Sequence, residues 1–395
     1  MDNTLRFVRA VASLPGVRLG IVSQEPVDRL PKDLRQEISA YAQVGDAMKS
    51  DSLVQGVRQI AGQWGQKVDS LLGILEPLQE PLAEARAKLG LPGTSPEAAG
   101  NMRDKAQMKD TLRQHGLPCA RHGLGGSIPE ILRAAEHTGF PLVAKPPDGA
   151  GAKRTVRCDS AAQLEDYLRN FPPNPSKPLL LEEFIQGDEF SFDSMSLNGK
   201  HVFHSISSYT PTPLEVVQTP WIQWCVLLPR SLDEFSDILD AGPRSLTALG
   251  MQTGMSHTEW FRRPDGTLAI SEVAARPPGA QFMSLISYAH DTDMYRAWAA
   301  LETFGQVEIG PRSYAVGAAY LRAQGQGRRV RGVSGIEKVK DELKELVVEA
   351  KLPKPGMPKS ESYEGEGYVI LRDEDTETVR EGLQKLVSNI RVELG

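Results

Sequence analysis

Apolar residues recur along the chain in two rhythms. Over residues 4–14, 51–62 and 77–89 they return at helical spacing, and over 17–23 and 68–74 they form short apolar runs. Helices alternating with short strands predict an α/β layer with a parallel sheet over residues 1–98. The layer opens on a helix. That order predicts a sheet short of one strand, with a chain start upstream or a partner chain covering the gap.

Leu91-Pro92-Gly93 closes the first region. A helix is predicted over 101–115, ended by Gly116-Leu117-Pro118. Ser127 with Glu130, and Ser160 with Gln163, read as capping boxes opening helices at 128 and 161. Between those helices runs a strand over 140–145. It enters the small-residue loop Pro146-Pro147-Asp148-Gly149-Ala150-Gly151-Ala152-Lys153 and returns over 155–158. An apolar strand follows over 179–185. Residues 189–197 and 201–207 flank Asn198-Gly199, the strongest two-residue hairpin signal. The segment 211–229 reads as irregular, 233–249 as a helix and 288–304 as mostly helical. Strands over 314–323, within 342–352 and over 367–371, with a closing helix over 376–392, complete a mixed α/β tail from 309 to 395.

The stretch His257 to Gly279 holds two carboxylates, Glu259 and Glu272, on either side of Pro264-Asp265-Gly266. Two strands joined by that turn form a hairpin. A loop of two or four residues sets Glu259 opposite Glu272, with Cβ atoms roughly 5 Å apart. Like charges facing each other need a cation between them, and Mg²⁺ commonly takes one or two carboxylates with substrate phosphates. A three-residue loop with a bulge would separate the two faces and leave solvated charges on an edge hairpin.

Composition narrows the class. The 45 Lys+Arg and 51 Asp+Glu residues are mixed along the chain and give a net charge of −6, which argues against a nucleic-acid binder. The one basic cluster, Arg328-Arg329-Val330-Arg331, reads as a solvated loop. Cys119, Cys158 and Cys225 have no ligand spacing and fit a reducing compartment. No apolar run reaches the ~20 residues of a membrane span, and no secretory signal is visible. The expectation is a cytoplasmic protein with no membrane partner.

Single residues leave alternatives open. Lys145 before a Gly/Ala loop suits phosphate oxygens or marks a mere turn. Glu182 to Ile185 could offer backbone groups to an adenine edge and Glu189 could accept ribose hydroxyls, or both are strand ends. Arg276 suits a carboxylate or phosphoryl group, or makes a salt bridge. His257 polarises a ligand or packs in the core. Trp221 and Trp224 line a pocket or belong to the core.

The order of these features carries more. Asp104-Lys105, Lys145 with its loop, Glu182-Glu183-Phe184-Ile185, Gly187-Asp188-Glu189, His257-x-Glu259 and Glu272-x-x-x-Arg276 together resemble the ATP-grasp superfamily. Within it the chain is similar to the carboxylate–amine ligases, a group with amino-acid ligases and biotin carboxylase-like enzymes. The resemblance covers about residues 99–308. It implies an α/β and α+β architecture: a small Rossmann-like N-terminal domain (1–98), an ATP-grasp domain (99–308, lid about 124–188) and a mixed α/β C-terminal domain (309–395). It also implies that Lys105 and Lys145 hold the ATP phosphates and that Gly149, Gly151 and Lys153 belong to the lid loop. Glu182, Phe184 and Ile185 would flank adenine, and Glu189 the ribose. Glu259 and Glu272 would bind Mg²⁺, or Mn²⁺ in its place, and Arg276 would stabilise the acyl phosphate. The implied reaction is ADP-forming ligation of a small carboxylate to an amine, with a homodimer as an allowed assembly. An acceptor thiol, hydroxyl or bicarbonate, or a non-catalytic ATP-binding regulator, are the alternatives. Two positions depart from the pattern. Ala274 stands where the family usually has Asn, and Ala152 with Lys153-Arg154 stands where the lid usually has serine or glycine.

Overall fold

The computed structural model describes residues 2–148, 154–219 and 222–395. The first helix, Asp2–Ala12, lays Phe7 edge-on to Tyr295 and Trp298, so its apolar stripe joins the main core. Strands β1 (Gly20–Ser23) and β2 (Ala40–Gln43) pair in parallel as a two-stranded sheet, and Leu53, Val54 and Ile60 of helix Ser50–Trp64 are buried beside it. Two corrections to the expected layer follow. Residues 68–75 carry no regular secondary structure and join no ladder among the described residues. The second strand is instead the alanine-rich β2, whose small residues carry little strand signal.

A four-stranded antiparallel sheet follows, made of β3 (His122–Gly125), β4 (Leu142–Lys145), β5 (Val156–Cys158) and β6 (Leu179–Glu183) in the order β3-β6-β4-β5. Helices Ile128–Thr138 and Ala161–Asn170 cover one face through Ile131, Leu164 and Leu168. The Ser160 hydroxyl caps its helix as expected, accepting from Gln163 N–H. Ser127 makes no such cap; Glu130 instead accepts from Gly126 N–H at 2.8 Å.

The remaining strands are β7 (Asp188–Leu197), β8 (Lys200–Thr210), β9 (Trp224–Leu228), β10 (Gly254–Arg262), β11 (Leu268–Ala274), β12 (Ala315–Leu321), β13 (Ala323–Gln324), β14 (Val330–Ser334), β15 (Val347–Lys351), β16 (Gly367–Asp373) and β17 (Arg391–Leu394). Eight of them form one sheet in the order β11-β10-β7-β8-β9-β12-β16-β15, continuous across residue 308. Helix Pro213–Gln218 and strand β9 occupy a segment that reads as irregular in sequence. Phe282–His290 and Met294–Phe304 form two helices where one was expected.

Gly187 carries the chain from the small sheet to the large one. Its φ is +151°, and a Cβ there would lie 2.2 Å from the Arg262 carbonyl oxygen. Only glycine fits so close a backbone crossing. The cavity described next lies between these two sheets.

Candidate active site

The helix expected over 101–115 is broken into Pro96–Arg103 and Lys105–Gln114. Asp104 makes the break: its side chain accepts from Ala106 and Gln107 N–H at 2.9 and 3.0 Å, an N-cap. The cap places Lys105 in the first turn of the second helix. Lys109, one turn on, projects from the same face.

The hairpin reaches the expected pairing by an unexpected route. Arg263 N–H bonds to Thr267 O at 2.8 Å, so the loop is the three residues Pro264-Asp265-Gly266. An odd loop by itself would set Glu259 opposite Ser271. However, Trp260 pairs with Ile270 and Glu259 with Glu272, leaving Ser271 as one bulged residue. The bulge restores the pairing, because each one-residue slip exchanges the two faces of a strand. The bulged Ser271 carbonyl accepts from Lys109 Nζ at 2.7 Å.

Lys105, Lys145, Glu182, Phe184, Ile185, Glu189, Glu259, Glu272 and Arg276 all line one cavity of about 480 Å³. Gly149, Gly151, Lys153 and Trp221 lie outside the described residues. Lys105 Nζ is 3.0 Å from Glu272 Oε1, and Lys145 Nζ is 2.8 Å from Glu182 Oε2. Lys109 Nζ is 2.7 Å from the other oxygen, Glu182 Oε1. Burial pushes the Glu182 carboxyl up, but the two lysines outweigh it and hold it at about 2. The Glu182 side chain is therefore a buried ionic link between β6 and two lysines. Phe184 N–H is already bonded to Pro141 O at 3.0 Å. The Phe184 ring lies under the Arg157 guanidinium, 4.2 Å from its centroid.

His257 is held from both sides. Its Nδ1 is 2.6 Å from Asp193 Oδ1 and its Nε2 is 3.6 Å from Glu259 Oε1. Burial lowers its affinity for a proton, but Asp193 and Glu259 together raise its pKa to about 10. Burial, with the charge of Glu259 added, pushes the Glu189 carboxyl well above the usual carboxylate range.

Arg276 is anchored by a residue far away in sequence. Its Nε pairs with Glu76 Oε2, and its Nη1 donates to Pro277 O at 2.9 Å. Glu76, Lys109, Asp193 and Tyr363 are the site residues that the sequence reading missed. Lys109 had a signal, the i,i+4 spacing from Lys105. Asp193 had another, the period-2 spacing from Glu189 along β7. Glu76 and Tyr363 had none. Trp224 belongs to both alternatives: it is buried in the main core and it lines the cavity.

Glu259 and Glu272 pair across the hairpin and line one cavity, and a basic nitrogen stands by each: His257 Nε2 at 3.6 Å from Glu259 and Lys105 Nζ at 3.0 Å from Glu272. Among the described residues no group of three His, Cys, Asp or Glu side chains could by itself hold a metal ion. Two carboxylates with the balance from water and phosphate suit Mg²⁺. Ala274 pairs with His257 and is buried, so it offers that face no oxygen from its side chain.

The fold has solved counterparts. An L-amino acid ligase from Bacillus licheniformis superposes with a TM-score of 0.77 at 20% identity, over 98% of this chain and 95% of that one. The chain has the ATP-grasp fold. Sequence comparison also finds ligases. The chain is 28% identical to the L-arginine-specific L-amino acid ligase of Bacillus subtilis over 218 residues, 54% of this chain and 52% of that protein. It is 25% identical to the alanine–anticapsin ligase of Bacillus subtilis (strain 168) over 281 residues, 65% of this chain and 58% of that protein. These matches span between half and three fifths of the length of each relative. No family model matches the chain. Among the described residues, no helix is long and apolar enough to cross a membrane.

Proposed function

We propose that the chain is an ATP-dependent, ADP-forming ligase that activates a small carboxylate as an acyl phosphate and joins it to an amine. The observation that carries this reading is the convergence of Lys105, Lys145, Glu259, Glu272 and Arg276 on one cavity. Lys105 and Lys145 hold the phosphates of ATP. Glu182, fixed between Lys109 and Lys145, sets the Lys145 ammonium in place. The backbone of Glu182 and Ile185, with the Phe184 ring, flanks adenine, and Glu189 accepts ribose hydroxyls. Gly149, Gly151 and Lys153, which lie outside the described residues, are assigned to the ATP phosphates by sequence resemblance alone. Glu259 and Glu272 hold Mg²⁺, which when bound neutralises phosphate charge beyond the reach of the lysines.

The substrate carboxylate oxygen attacks the γ-phosphorus and ADP leaves. The amine nitrogen then attacks the acyl carbon, the carbon–oxygen bond to phosphate breaks, and phosphate and one proton are released. Arg276, gripped by Glu76, stabilises the negative oxygens of both steps. No protein nucleophile is required; positioning and charge supply the rate.

The units of this reading are an N-terminal domain (1–98), an ATP-grasp domain (99–308) and a C-terminal domain (309–395) that extends the large sheet. Mn²⁺, which accepts the same oxygen ligands, substitutes for Mg²⁺. The compartment of this reading is the cytoplasm, and a homodimer is an allowed assembly. Incubation with ATP, Mg²⁺ and a panel of carboxylates and amines tests the activity. Equal release of ADP and phosphate with a new C–N bond is expected. ATP turnover that forms only thioester, ester or carboxylated product overturns the choice of amine, and no turnover with any pair overturns the reading.

A further inference from the structure

We propose that the end of the cavity beyond Arg276 recognises a carboxylate carrying an apolar side chain of leucine or phenylalanine size; this rests on the ligase reading above. Among the aromatic rings that line the cavity are Tyr209, Trp224, Phe282 and Tyr363. They form one connected set. Tyr363 meets Trp224 edge-on with centroids 5.0 Å apart, Trp224 meets Tyr209 at 5.8 Å, and Tyr209 meets Phe282 at 5.9 Å.

The set adjoins the carboxylate pair through His257, whose Nε2 is 3.6 Å from Glu259. The Phe282 ring lies 5.7 Å from the His257 ring. Tyr363 Oη would stand 3.9 Å from a Cβ built at Gly279, three residues beyond Arg276. Tyr363 arrives from the segment between β15 and β16, and Phe282 from the helix after β11. Two parts of the chain that are remote in sequence therefore wall the same space.

The charge at this end is already spent. Arg276 is paired with Glu76 and neighbours Glu272, so an acidic substrate side chain would compete for a cation that the reaction uses. A basic side chain would bring its ammonium among ring faces and edges, and the carboxylates that neighbour Tyr209 and Tyr363 include Glu189, Glu259 and Glu272, which this reading already assigns to ribose and metal. Burying an unpaired charge is costly. An apolar side chain gains the burial of its own surface together with contacts to the rings.

The test uses the full chain with ATP, Mg²⁺ and hydroxylamine. Hydroxylamine nitrogen attacks the acyl carbon, phosphate leaves and a proton is lost, giving a hydroxamate whatever the natural amine. Glycine, alanine, leucine, phenylalanine, aspartate and lysine serve as carboxylates. The kcat/KM for leucine and phenylalanine should exceed that for glycine, aspartate and lysine by about tenfold or more, the range a hydrophobic pocket supplies. Tyr363→Ala should narrow the phenylalanine-to-alanine ratio by about fivefold, with the KM for ATP held within about twofold. Phe282→Leu gives a second reading of the same ratio should Tyr363→Ala fold poorly. An equal or higher kcat/KM for aspartate or lysine, or a ratio unmoved by either variant, overturns the proposal and leaves the ligase reading standing. Absence of ADP with every carboxylate overturns both.

Discussion

Lys109 Nζ lies 2.7 Å from Glu182 Oε1 and 2.7 Å from the Ser271 carbonyl oxygen, so one fully buried ammonium ties β6 of the small sheet to the bulge of β11. That contact joins the two sheets at the floor of the cavity. It also fixes Glu182, and through it Lys145. A buried lysine needs this many oxygens, because desolvating its charge costs several kcal/mol unless the charge is repaid by close partners.

Removing the cation should therefore leave a carboxylate short of charge. Lys109→Met is expected to cost about 3 kcal/mol of stability, the lower end of the loss seen when one partner of a buried pair is removed. Adding Glu182→Gln to Lys109→Met should recover part of that loss. Urea unfolding of both single variants and the double variant measures the coupling; purely additive losses would show that the pair is not coupled.

The same carboxyl sets a pH dependence. Its pKa is lowered from 4.5 to about 2 on folding. A lowered carboxyl contributes stability above its unfolded value and loses it as pH falls through the folded value. The window is pH 4.5 down to about 2, and its size is about 3 kcal/mol at 1.36 kcal/mol per unit. Glu182→Gln should flatten the acid limb of the stability curve in that window; an unchanged slope would place the titration elsewhere.

ATP with Mg²⁺ should raise the melting temperature. At about 100 times its dissociation constant a ligand adds roughly 2.7 kcal/mol to the folded state. Differential scanning fluorimetry at saturating nucleotide reads the shift, and its absence would remove the nucleotide from the proposed function.

The carboxylate pair should be indispensable. Glu272→Ala removes one of two facing carboxylates and with it the ion pair to Lys105 at 3.0 Å. Turnover should fall by at least about a hundredfold, the scale of losing one charge-stabilising group in an active site. Activity close to that of the unaltered chain would show that Glu272 holds no metal.

Ala274 offers a gain of function. It supplies no side-chain oxygen, so rate should keep rising with Mg²⁺ after ATP is fully complexed, as the ion retains water instead. Ala274→Asn should lower the Mg²⁺ needed for half-maximal rate, at some cost in stability from added volume at a buried position. Titration of rate against free Mg²⁺ decides it: saturation at the ATP concentration in both proteins would mean another group supplies the oxygen.

The sequence by itself determined which residue types stand where along each element. Period-2 spacing along β7 and β10, the lysine at the end of β4, and the order from Lys105 to Arg276 are local or sequential facts, and each survived folding. What meets what was decided only in three dimensions. The turn Pro264-Asp265-Gly266 read alone puts Glu259 and Glu272 on opposite faces, and a single bulged serine reverses that answer. A bulge depends on what lies beneath the strand, here Lys109, and no periodicity announces it. Glu76 reaches Arg276 across 200 residues of chain. Tyr363 comes from a different segment again. Propensity and periodicity act over a few residues, whereas a buried charge takes whichever partner the packed sheets bring within about 3 Å. For that reason most long elements were legible in the sequence, short ones such as β2 and β9 were not, and neither were the ion pairs.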